Sequence, residues 1–248
     1  MIWRIIDHTV NDAYLNMGID EAISEDVGRG RSAPTIRFYG WRPSAVSIGF
    51  FQGIEEELDI RSCAQNGVDI VRRRTGGGAV YHDTEGEITY SVIAKEELFP
   101  KDILASYRII CGWIIDSLAL LGIESEFKPI NDVIVGGKKI SGNAQTRRGG
   151  VLLQHGTILH SVDIDRMFSL LRVPDEKLKG KMITSAKERV TSVAIASGSS
   201  KDELYRALVS GFSKGKDVRF SGLSTEEIAR AEALADTRYR KKEWNWMR

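Results

Sequence analysis

A basic stretch that runs directly into three glycines contains the residue types best suited to hold an anionic ligand. In order, its residues are Arg72, Arg73, Arg74, Thr75, Gly76, Gly77, Gly78, Ala79, Val80, Tyr81, His82 and Asp83. Glycine has no Cβ, so the backbone can approach a ligand closely and turn its N–H groups towards it. Arginine adds a permanently charged fork for phosphate or carboxylate. The alternative for so short a glycine motif is a basic β-turn.

A second candidate is a lysine on a predicted hairpin. Lys139 follows the pair Gly136-Gly137, which suits a type I′ turn because both central residues of that turn have positive φ. A lysine on such a short, stiff strand can stabilise negative charge that develops on a carbonyl or phosphorus oxygen. Asn131 and Asp132 open the same segment. A solvated surface lysine is the alternative.

The strands and helices that must position these residues follow from the hydrophobic pattern. The predicted strands are 2–6, 35–39, 45–48, 68–73, 87–94 and 151–160, with a hairpin over 131–144. The predicted helices are 12–27, 55–66, 101–121, 163–171, 200–214 and 224–239. We expect strand 87–94 to be the hairpin or sheet partner of the glycine-loop segment. Because strands and helices mix without a strict βαβ alternation, the predicted class is α+β. No linker or boundary is visible, so 1–248 is predicted to be a single domain.

Two of these helices carry residues that bear on chemistry. In the first helix the predicted apolar face leaves out Asn16 and Glu21 and consists of Tyr14, Leu15, Gly18, Ala22 and Ile23. Cys111 lies within the apolar stripe of helix 101–121, which predicts a core residue, since free cysteine is among the most buried residue types. Cys63 lies in a polar helix without a nearby histidine in the sequence, so a catalytic thiol is not expected there.

Composition excludes several classes of protein. The chain has 248 residues and a net charge of +1, which gives no global electrostatic case for a nucleic-acid or membrane partner. No apolar run reaches the roughly 18 residues of a membrane span, and the first residues carry charges where a signal peptide needs its apolar core. The two cysteines form neither a disulfide framework nor a metal cluster. We expect a cytoplasmic protein.

The full twelve-residue stretch is more specific than its glycines, because it resembles the R-R-x-[TS]-G-G-G-A-V-[YF]-H-D signature of the lipoate–protein ligases. Residues 131–144 resemble the N-D-x…K-[IV]-[SM]-G-[SN]-A segment of the same family. Residues 153–159 are similar to its next strand, and 185–190 match its S-x-x-x-R-V pattern. The motifs agree in order and spacing, and the resemblance covers nearly the whole chain.

This resemblance implies a fold related to biotin ligases and to the class II aminoacyl-tRNA synthetase core. It also implies a two-step reaction in which lipoate and ATP form lipoyl-adenylate, and the lipoyl group then passes to a lysine of a lipoyl domain. Lys139 would be the catalytic residue that contacts the acyl carbonyl and the phosphate. Asp132 would contact Mg²⁺ or the amino group of ATP. The residues that would form the ATP and lipoate pocket are Arg72, Arg73, Gly76, Gly77, Gly78, Ala79, Val80, Tyr81, His82, Asn131, Asp132 and Lys139.

The same resemblance implies protein partners. The acceptors would be apo lipoyl domains of 2-oxoacid dehydrogenase E2 proteins and of the glycine cleavage H protein. Bacterial members of the family usually carry a further C-terminal domain, whereas archaeal-type members are as short as this chain and have a separate small accessory polypeptide. We therefore expect a separate accessory subunit.

Two other functions fit parts of the sequence. An octanoyl- or lipoyl-transferase of the same superfamily forms an acyl-thioester on a cysteine and needs no ATP, but no cysteine follows Cys111, so a thiolate is missing from the expected region. A non-catalytic protein that binds a lipoyl group is the second alternative, which the intact arginines, glycines and lysine disfavour. A nucleic-acid role is weaker still, because no stripe of aromatic and basic residues occurs.

Overall fold

The computed structural model describes residues 1–161, 163–172 and 176–248, except for the side chains of residues 176–179. The strands are β1 (Ile2–Asn11), β2 (Thr35–Trp41), β3 (Ala45–Ile48), β4 (Asp69–Arg72), β5 (Val80–His82), β6 (Glu87–Lys95), β7 (Glu126–Lys128), β8 (Asp132–Val135), β9 (Lys138–Arg148), β10 (Val151–Leu159) and β11 (Asp217–Phe220). The helices are α1 (Ala13–Gly28), α2 (Ile54–Glu57), α3 (Ile60–Gln65), α4 (Ile103–Ala119), α5 (Ile164–Leu170), α6 (Glu176–Arg189), α7 (Val193–Ser197), α8 (Lys201–Ser213), α9 (Thr225–Leu234) and α10 (Lys242–Asn245), with a 3₁₀ turn at Glu96–Leu98 and a π-helical turn at Ala235–Tyr239.

These strands form two mixed sheets. The large sheet has eight strands in the order β11-β1-β2-β6-β10-β9-β8-β7, and the small sheet has three in the order β4-β3-β5. In the large sheet β1 is parallel to β2 and β11, while the pairs from β2 to β7 are antiparallel. In the small sheet β3 is parallel to β4 and antiparallel to β5. The predicted α+β class is confirmed, since helices accompany two mixed sheets.

Helices cover both faces of the large sheet. On one face, apolar residues of α4 and α8 such as Ile114 and Leu208 pack on Phe38, Tyr90 and Ile140 of the strands. On the other face, α1 and α9 form a second core with residues of the large sheet. The buried positions of α4 recur at spacings of three and four, as the pattern of an amphipathic helix requires. In the part of the chain that the structure describes, no helix combines the length and apolar character needed to span a membrane.

Two predicted elements differ from the structure. The helix expected over 55–66 is divided into α2 and α3, because Leu58 is buried in extended conformation and bridges to Leu171, and Asp59 then caps a new helix. The partner expected for the glycine-loop strand is also wrong. β6 pairs with β2 and β10, whereas the glycine-loop strand β5 pairs with β3 in the small sheet.

The apolar stripe predicted for the first helix does not coincide with its buried residues. Asn16 and Glu21, which lie outside the predicted apolar stripe, are 0% and 4% exposed. Asn16 donates to the carbonyl of Gly40 and accepts from Arg37, and Glu21 accepts from Tyr239. Buried polar groups are tolerated when they are hydrogen-bonded, and here the partners come from distant strands and from the C-terminal segment, which periodicity alone cannot show.

Candidate active site

A cavity of about 210 Å³ lies between the small sheet and the inner strands β9 and β10 of the large sheet. The predicted site residues that line it are Arg73, Gly77, Gly78, Ala79, Val80, His82, Asn131 and Lys139. Four others, Arg72, Gly76, Tyr81 and Asp132, are not part of its lining. The sequence motifs thus converge on one cavity, although they lie in separate halves of the chain.

The glycine loop connects β4 to β5 and lies against the end of β3. Gly77 has φ of +98°, a conformation that favours glycine. A Cβ at Gly49 would collide with the carbonyl oxygen of Gly77, so the close approach of the two segments requires glycine at position 49. Among the described residues, none accepts a hydrogen bond from the backbone N–H groups of 76–79. These donors are available to a ligand oxygen.

Arg73 holds the glycine loop in place through the hydrogen bonds of its guanidinium. Its Nε donates to the hydroxyl of Thr75 at 3.1 Å, Nη1 donates to the carbonyl and hydroxyl oxygens of Ser47, and Nη2 donates to the carbonyls of Gly76 and Gly78. All five N–H donors of a guanidinium are therefore used. Burial lowers the pKa of Arg73 to about 10, so the side chain still carries its charge at neutral pH. Arg73 therefore holds the loop and contributes a positive charge, but none of its N–H donors is left for a ligand.

Arg72 points away from the cavity, into the protein. Its Nη1 donates to three carbonyls of residues 49–52, and its Nε and Nη2 donate to the carbonyls of Trp244 and Asn245. The side chain of Asn245 accepts from the backbone N–H of Arg72 at 2.7 Å. Arg72 is fully buried and joins the C-terminal segment to the base of the glycine loop. The ligand contact predicted for it does not fit this orientation.

The β8–β9 hairpin brings Lys139 to the cavity as predicted. Gly136 and Gly137 have φ of +55° and +79°, which confirms the turn with two positive φ angles. Lys139 Nζ lies 2.7 Å from Asp132 Oδ1, so the two side chains form an ion pair. The carbonyl of Lys139 accepts from the backbone N–H of Thr191, which joins this part of β9 to the segment that follows α6.

Two buried histidines also face the cavity, and each connects a carboxylate to a hydroxyl. His82 Nε2 lies 2.8 Å from Ser47 Oγ and its Nδ1 lies 2.7 Å from Glu87 Oε1. His155 Nε2 lies 2.8 Å from Thr75 Oγ1, whereas its Nδ1 is 3.6 Å from Asp20, beyond a good hydrogen bond. Of these groups only His82 was predicted from the sequence. The available signal for His155 was a histidine placed before glycine in an otherwise apolar strand.

The His155 environment predicts a dependence of stability on pH. Burial lowers the pKa of His155 below its ordinary value of 6.5, and the charges of Arg73 and His82 add to the effect. The unfolded chain therefore binds the proton more readily than the folded chain, and the free energy of unfolding should fall as pH drops from about 6.5 towards the lowered folded pKa. We expect this slope in denaturant unfolding between pH 7.5 and 5, and a smaller slope in His155→Gln. Equal slopes in the parent protein and in His155→Gln would contradict the role of His155 in this pH dependence.

Neither cysteine is placed for catalysis. Cys63 and Cys111 are both fully buried and neither lines the cavity. Burial, with the charge of Asp59, raises the pKa of Cys63 to about 11, and burial with the charge of Asp132 raises that of Cys111 to about 12. Since the thiolate is the nucleophilic form, both thiols are inert at neutral pH. The sequence-based prediction that Cys111 is a core residue is confirmed.

The described residues do not provide a set of metal ligands. No three side chains of His, Cys, Asp or Glu are grouped there so as to hold a metal ion. Asp132, predicted to contact Mg²⁺ or ATP, is paired with Lys139 instead. The Mg²⁺ contact stays a prediction without support from this geometry.

A family model described as the lipoyl protein ligase A/B catalytic domain matches residues 12–213, which include the glycine loop, the Lys139 hairpin and both histidines. The chain belongs to this family. Its fold superposes with a TM-score of 0.91 on an archaeal bi-partite lipoate protein ligase from Thermoplasma acidophilum, described with its E2 lipoyl domain, at 35% identity over 99% of this chain and 96% of that one. A lipoate-protein ligase A bound with ATP gives a TM-score of 0.85 at 34% identity over 99% of both chains. The predicted lipoate-ligase fold is confirmed.

Relatives in sequence are named as octanoyltransferases, whereas the structural neighbours above are lipoate–protein ligases. The octanoyltransferase LipM of Geobacillus kaustophilus is 36% identical over 278 aligned residues, covering 100% of this chain and 99% of that protein. LipM of Staphylococcus aureus is also 36% identical, over 98% of this chain. The prediction of an ATP-dependent lipoate–protein ligase that forms an acyl-adenylate is therefore wrong. These relatives support the alternative considered beside it, acyl transfer.

Proposed function

We propose that this family member is an octanoyltransferase, which moves a medium-chain acyl group from a thioester donor to a lysine of a lipoyl domain. The full-length similarity to octanoyltransferases carries the proposal. An acyl group that is not activated by ATP must arrive already activated, and a thioester is such a form. We further propose that residues 1–248 act as one catalytic domain, because the motifs from both halves of the chain line one cavity.

The cavity supports an acyl ligand. At about 210 Å³ it is smaller than the 300–1,000 Å³ of typical drug-sized ligand pockets. Apolar and aromatic side chains, among them Met17, Tyr39, Trp41 and Val80, contribute to its lining. Such a lining favours the burial of a hydrocarbon chain, at roughly 0.8 kcal/mol per CH₂ group.

Polar groups of the same cavity support catalysis on the acyl carbonyl. The ammonium of Lys139 and the free N–H groups of the glycine loop can stabilise the negative charge that develops on the carbonyl oxygen during transfer. Arg73 adds a buried positive charge behind the loop. This charge distribution suits an anionic tetrahedral intermediate whichever activated acyl donor is used.

The protein partners belong to the same proposal. A lipoyl domain is the proposed acceptor, since the archaeal neighbour is described with an E2 lipoyl domain; the glycine cleavage H protein is a second candidate. That neighbour is described as bi-partite, so a separate accessory subunit is a further candidate, to be tested by adding it to the transfer assay. The proposed location is the cytoplasm, where such acceptors would be encountered.

Two assays, run with one preparation of the protein, test the proposed activity. The first follows ATP–pyrophosphate exchange in the presence of octanoate or lipoate, and we expect no exchange above background. The second follows release of free thiol from an octanoyl thioester of a phosphopantetheine carrier protein, with an apo lipoyl domain as acceptor, and we expect steady release. Exchange without thiol release would overturn the proposal.

We predict that the cysteines are dispensable for this activity. Cys63→Ser and Cys111→Ala should both retain octanoyl transfer, because the two thiols are buried outside the cavity. Cys111→Ala should lose about 1 kcal/mol of stability, as expected for a small cavity in a packed core. Transfer rates of the purified, folded variants give the check. Loss of transfer in folded Cys63→Ser would show that a protein thioester is required.

A further inference from the structure

We propose that Ser47 is the nucleophile that accepts the octanoyl group, with His82 as its general base and Glu87 as the residue that orients His82. The inference rests on the proposed acyl transfer and adds the covalent step. Transferases of this kind are expected to use a cysteine thioester, yet the only two cysteines of the chain are buried and lie outside the cavity. A different nucleophile is needed if the acyl group is held on the protein.

Ser47, His82 and Glu87 have the mutual geometry of a nucleophile, a base and an orienting acid. Ser47 Oγ is 2.8 Å from His82 Nε2, and His82 Nδ1 is 2.7 Å from Glu87 Oε1. Both distances are in the range required for such an arrangement. Ser47 and His82 line the cavity, and they lie on the adjacent antiparallel strands β3 and β5. The sheet therefore holds the nucleophile and the base in fixed register.

The surroundings of His82 select one tautomer and one ring orientation. Glu87 is 1% exposed and its Oε1 also accepts from the hydroxyl of Thr89 at 2.8 Å. Thr89 in turn accepts from the indole N–H of Trp41 at 2.8 Å, and the Trp41 ring stacks on His82 with centroids 4.0 Å apart. With Glu87 accepting from Nδ1–H, Nε2 is left as the acceptor for the Ser47 hydroxyl.

Arg73 makes Ser47 a better nucleophile than an ordinary serine. Its Nη1 donates to Ser47 Oγ at 3.1 Å and to the Ser47 carbonyl at 3.0 Å. A buried cation at this distance stabilises the negative charge that develops on the oxygen as it loses its proton. The free N–H groups of the glycine loop precede Val80, which pairs with Ser47 across the sheet. They can receive the carbonyl oxygen of the acyl group.

The second hydroxyl in contact with a histidine is less well placed. Thr75 Oγ1 lies 2.8 Å from His155 Nε2, but Thr75 is not part of the cavity lining. The carboxylate behind His155, Asp20, is 3.6 Å from the ring and is engaged by Arg37 and Ser91. Ser47 therefore has the more complete arrangement.

The transfer consists of two balanced steps. In the first, Ser47 Oγ attacks the thioester carbonyl and its proton passes to His82 Nε2. The C–S bond breaks, and the departing thiolate takes that proton, which leaves the octanoyl group as an ester on Ser47. In the second, the acceptor lysine amine attacks the ester carbonyl and gives a proton to His82. The C–O bond breaks and Ser47 Oγ recovers the proton, which leaves an amide on the lipoyl domain.

Intact-protein mass spectrometry tests the ester directly. The complete chain is mixed with an octanoyl thioester of a phosphopantetheine carrier protein, without acceptor, and its mass is recorded. We expect a gain of one octanoyl group, located by peptide mapping at Ser47 and resistant to neutral hydroxylamine. In Ser47→Cys the label should stay at position 47 but become labile to hydroxylamine, as a thioester is. A label on Cys63, Cys111 or Thr75, or no label while transfer continues, would overturn the proposal.

The transfer kinetics of single-residue variants test the serine nucleophile independently. Ser47→Ala should lower transfer at least about 10³-fold, as loss of a covalent nucleophile does in other enzymes. The matched control is Ser44→Ala, a serine just before β3 that contacts Thr84 outside the cavity, and it should retain the parental rate. Glu87→Gln should lower kcat with little change in KM and shift the acidic limb of the pH profile, because Glu87 acts through His82.

The same measurements distinguish octanoyl transfer by the chain from the covalent step on Ser47. If the parent chain releases no thiol and modifies no acceptor from the thioester, the proposed function is wrong. If the parent chain transfers octanoyl and folded Ser47→Ala does so at an equal rate, only the serine step is wrong. Should Ser47→Ala fail to fold, the hydroxylamine response of Ser47→Cys decides the question.

Discussion

Replacement of Lys139 by alanine is expected to lower octanoyl transfer by about 10²-fold, the usual cost of losing one donor to a developing oxyanion. Among the described residues that line the cavity, Lys139 and Arg73 bear a permanent positive charge, and all donors of Arg73 are already engaged. Lys139 is 44% exposed, so its removal should leave the fold intact. The loss should appear in kcat, measured as acylated lipoyl domain per unit time.

Lys138→Ala is the matched control for this experiment. Lys138 is the preceding residue on the same strand, it is exposed, and it is not part of the cavity lining. It should transfer at the parental rate. A near-parental rate in Lys139→Ala, with unchanged thermal unfolding, would show that Lys139 does not contribute to catalysis.

Valine at position 77 is expected to abolish transfer through geometry, without any change in charge. Gly77 has φ of +98°, which a β-branched residue adopts only under strain. A Cβ at this position would lie 2.9 Å from Arg73 Nη2, so the side chain would also disturb the guanidinium that holds the loop. With the loop displaced, the N–H donors and the acyl group lose their common arrangement. We expect transfer to fall more than about 10³-fold, beyond the loss of any one donor.

Gly67→Val separates loop geometry from general backbone strain. Gly67 also has positive φ, at +62°, and a Cβ there meets nothing within 4 Å. This variant should lose about 1–2 kcal/mol of stability, the cost of a left-handed residue, and keep its transfer rate. Calorimetry with a non-hydrolysable octanoyl ligand completes the comparison. If Gly77→Val binds that ligand as tightly as the parent does, the glycine run is only a turn.

The sequence was most informative where structure depends on local patterns. The Gly136-Gly137 turn and the apolar stripe of α4 both involve residues within a few positions of one another, and the structure contains each of them. The burial of Asn16 and Glu21 could not be predicted in this way. Their partners, such as Arg37 and Tyr239, come from elements distant in sequence.

The candidate site also combines residues that local motifs predict with residues that they do not. The motifs predict the glycine loop, Lys139 and His82 as site residues, and these residues line the cavity. They did not reveal Ser47 or Glu87, because these residues come from β3 and from the large sheet and have no motif of their own. Arg72 and Arg73 are neighbours in sequence but point in opposite directions, as successive residues along an extended chain do. Sequence alone could not show which of them faces the cavity.

The reaction was harder to predict than the family. Lipoate ligases and octanoyltransferases both act on an acyl carbonyl that becomes an oxyanion, so a glycine loop and a lysine serve either reaction. The two differ in how the acyl group is activated, which a glycine loop and a lysine alone do not specify. The full-length similarity to octanoyltransferases supports acyl transfer, which the motifs alone do not distinguish from ligation.

The most direct test of octanoyl transfer is the mass of an acceptor lipoyl domain under conditions that exclude adenylation. The chain is incubated with the apo domain and an octanoyl thioester of a carrier protein, after treatment with an ATP-degrading enzyme and a chelator of divalent cations. Octanoyl transfer predicts one octanoyl amide on each domain, and none when the acceptor lysine is replaced by arginine. An unmodified domain under these conditions, together with full modification by free octanoate, ATP and Mg²⁺, would contradict it.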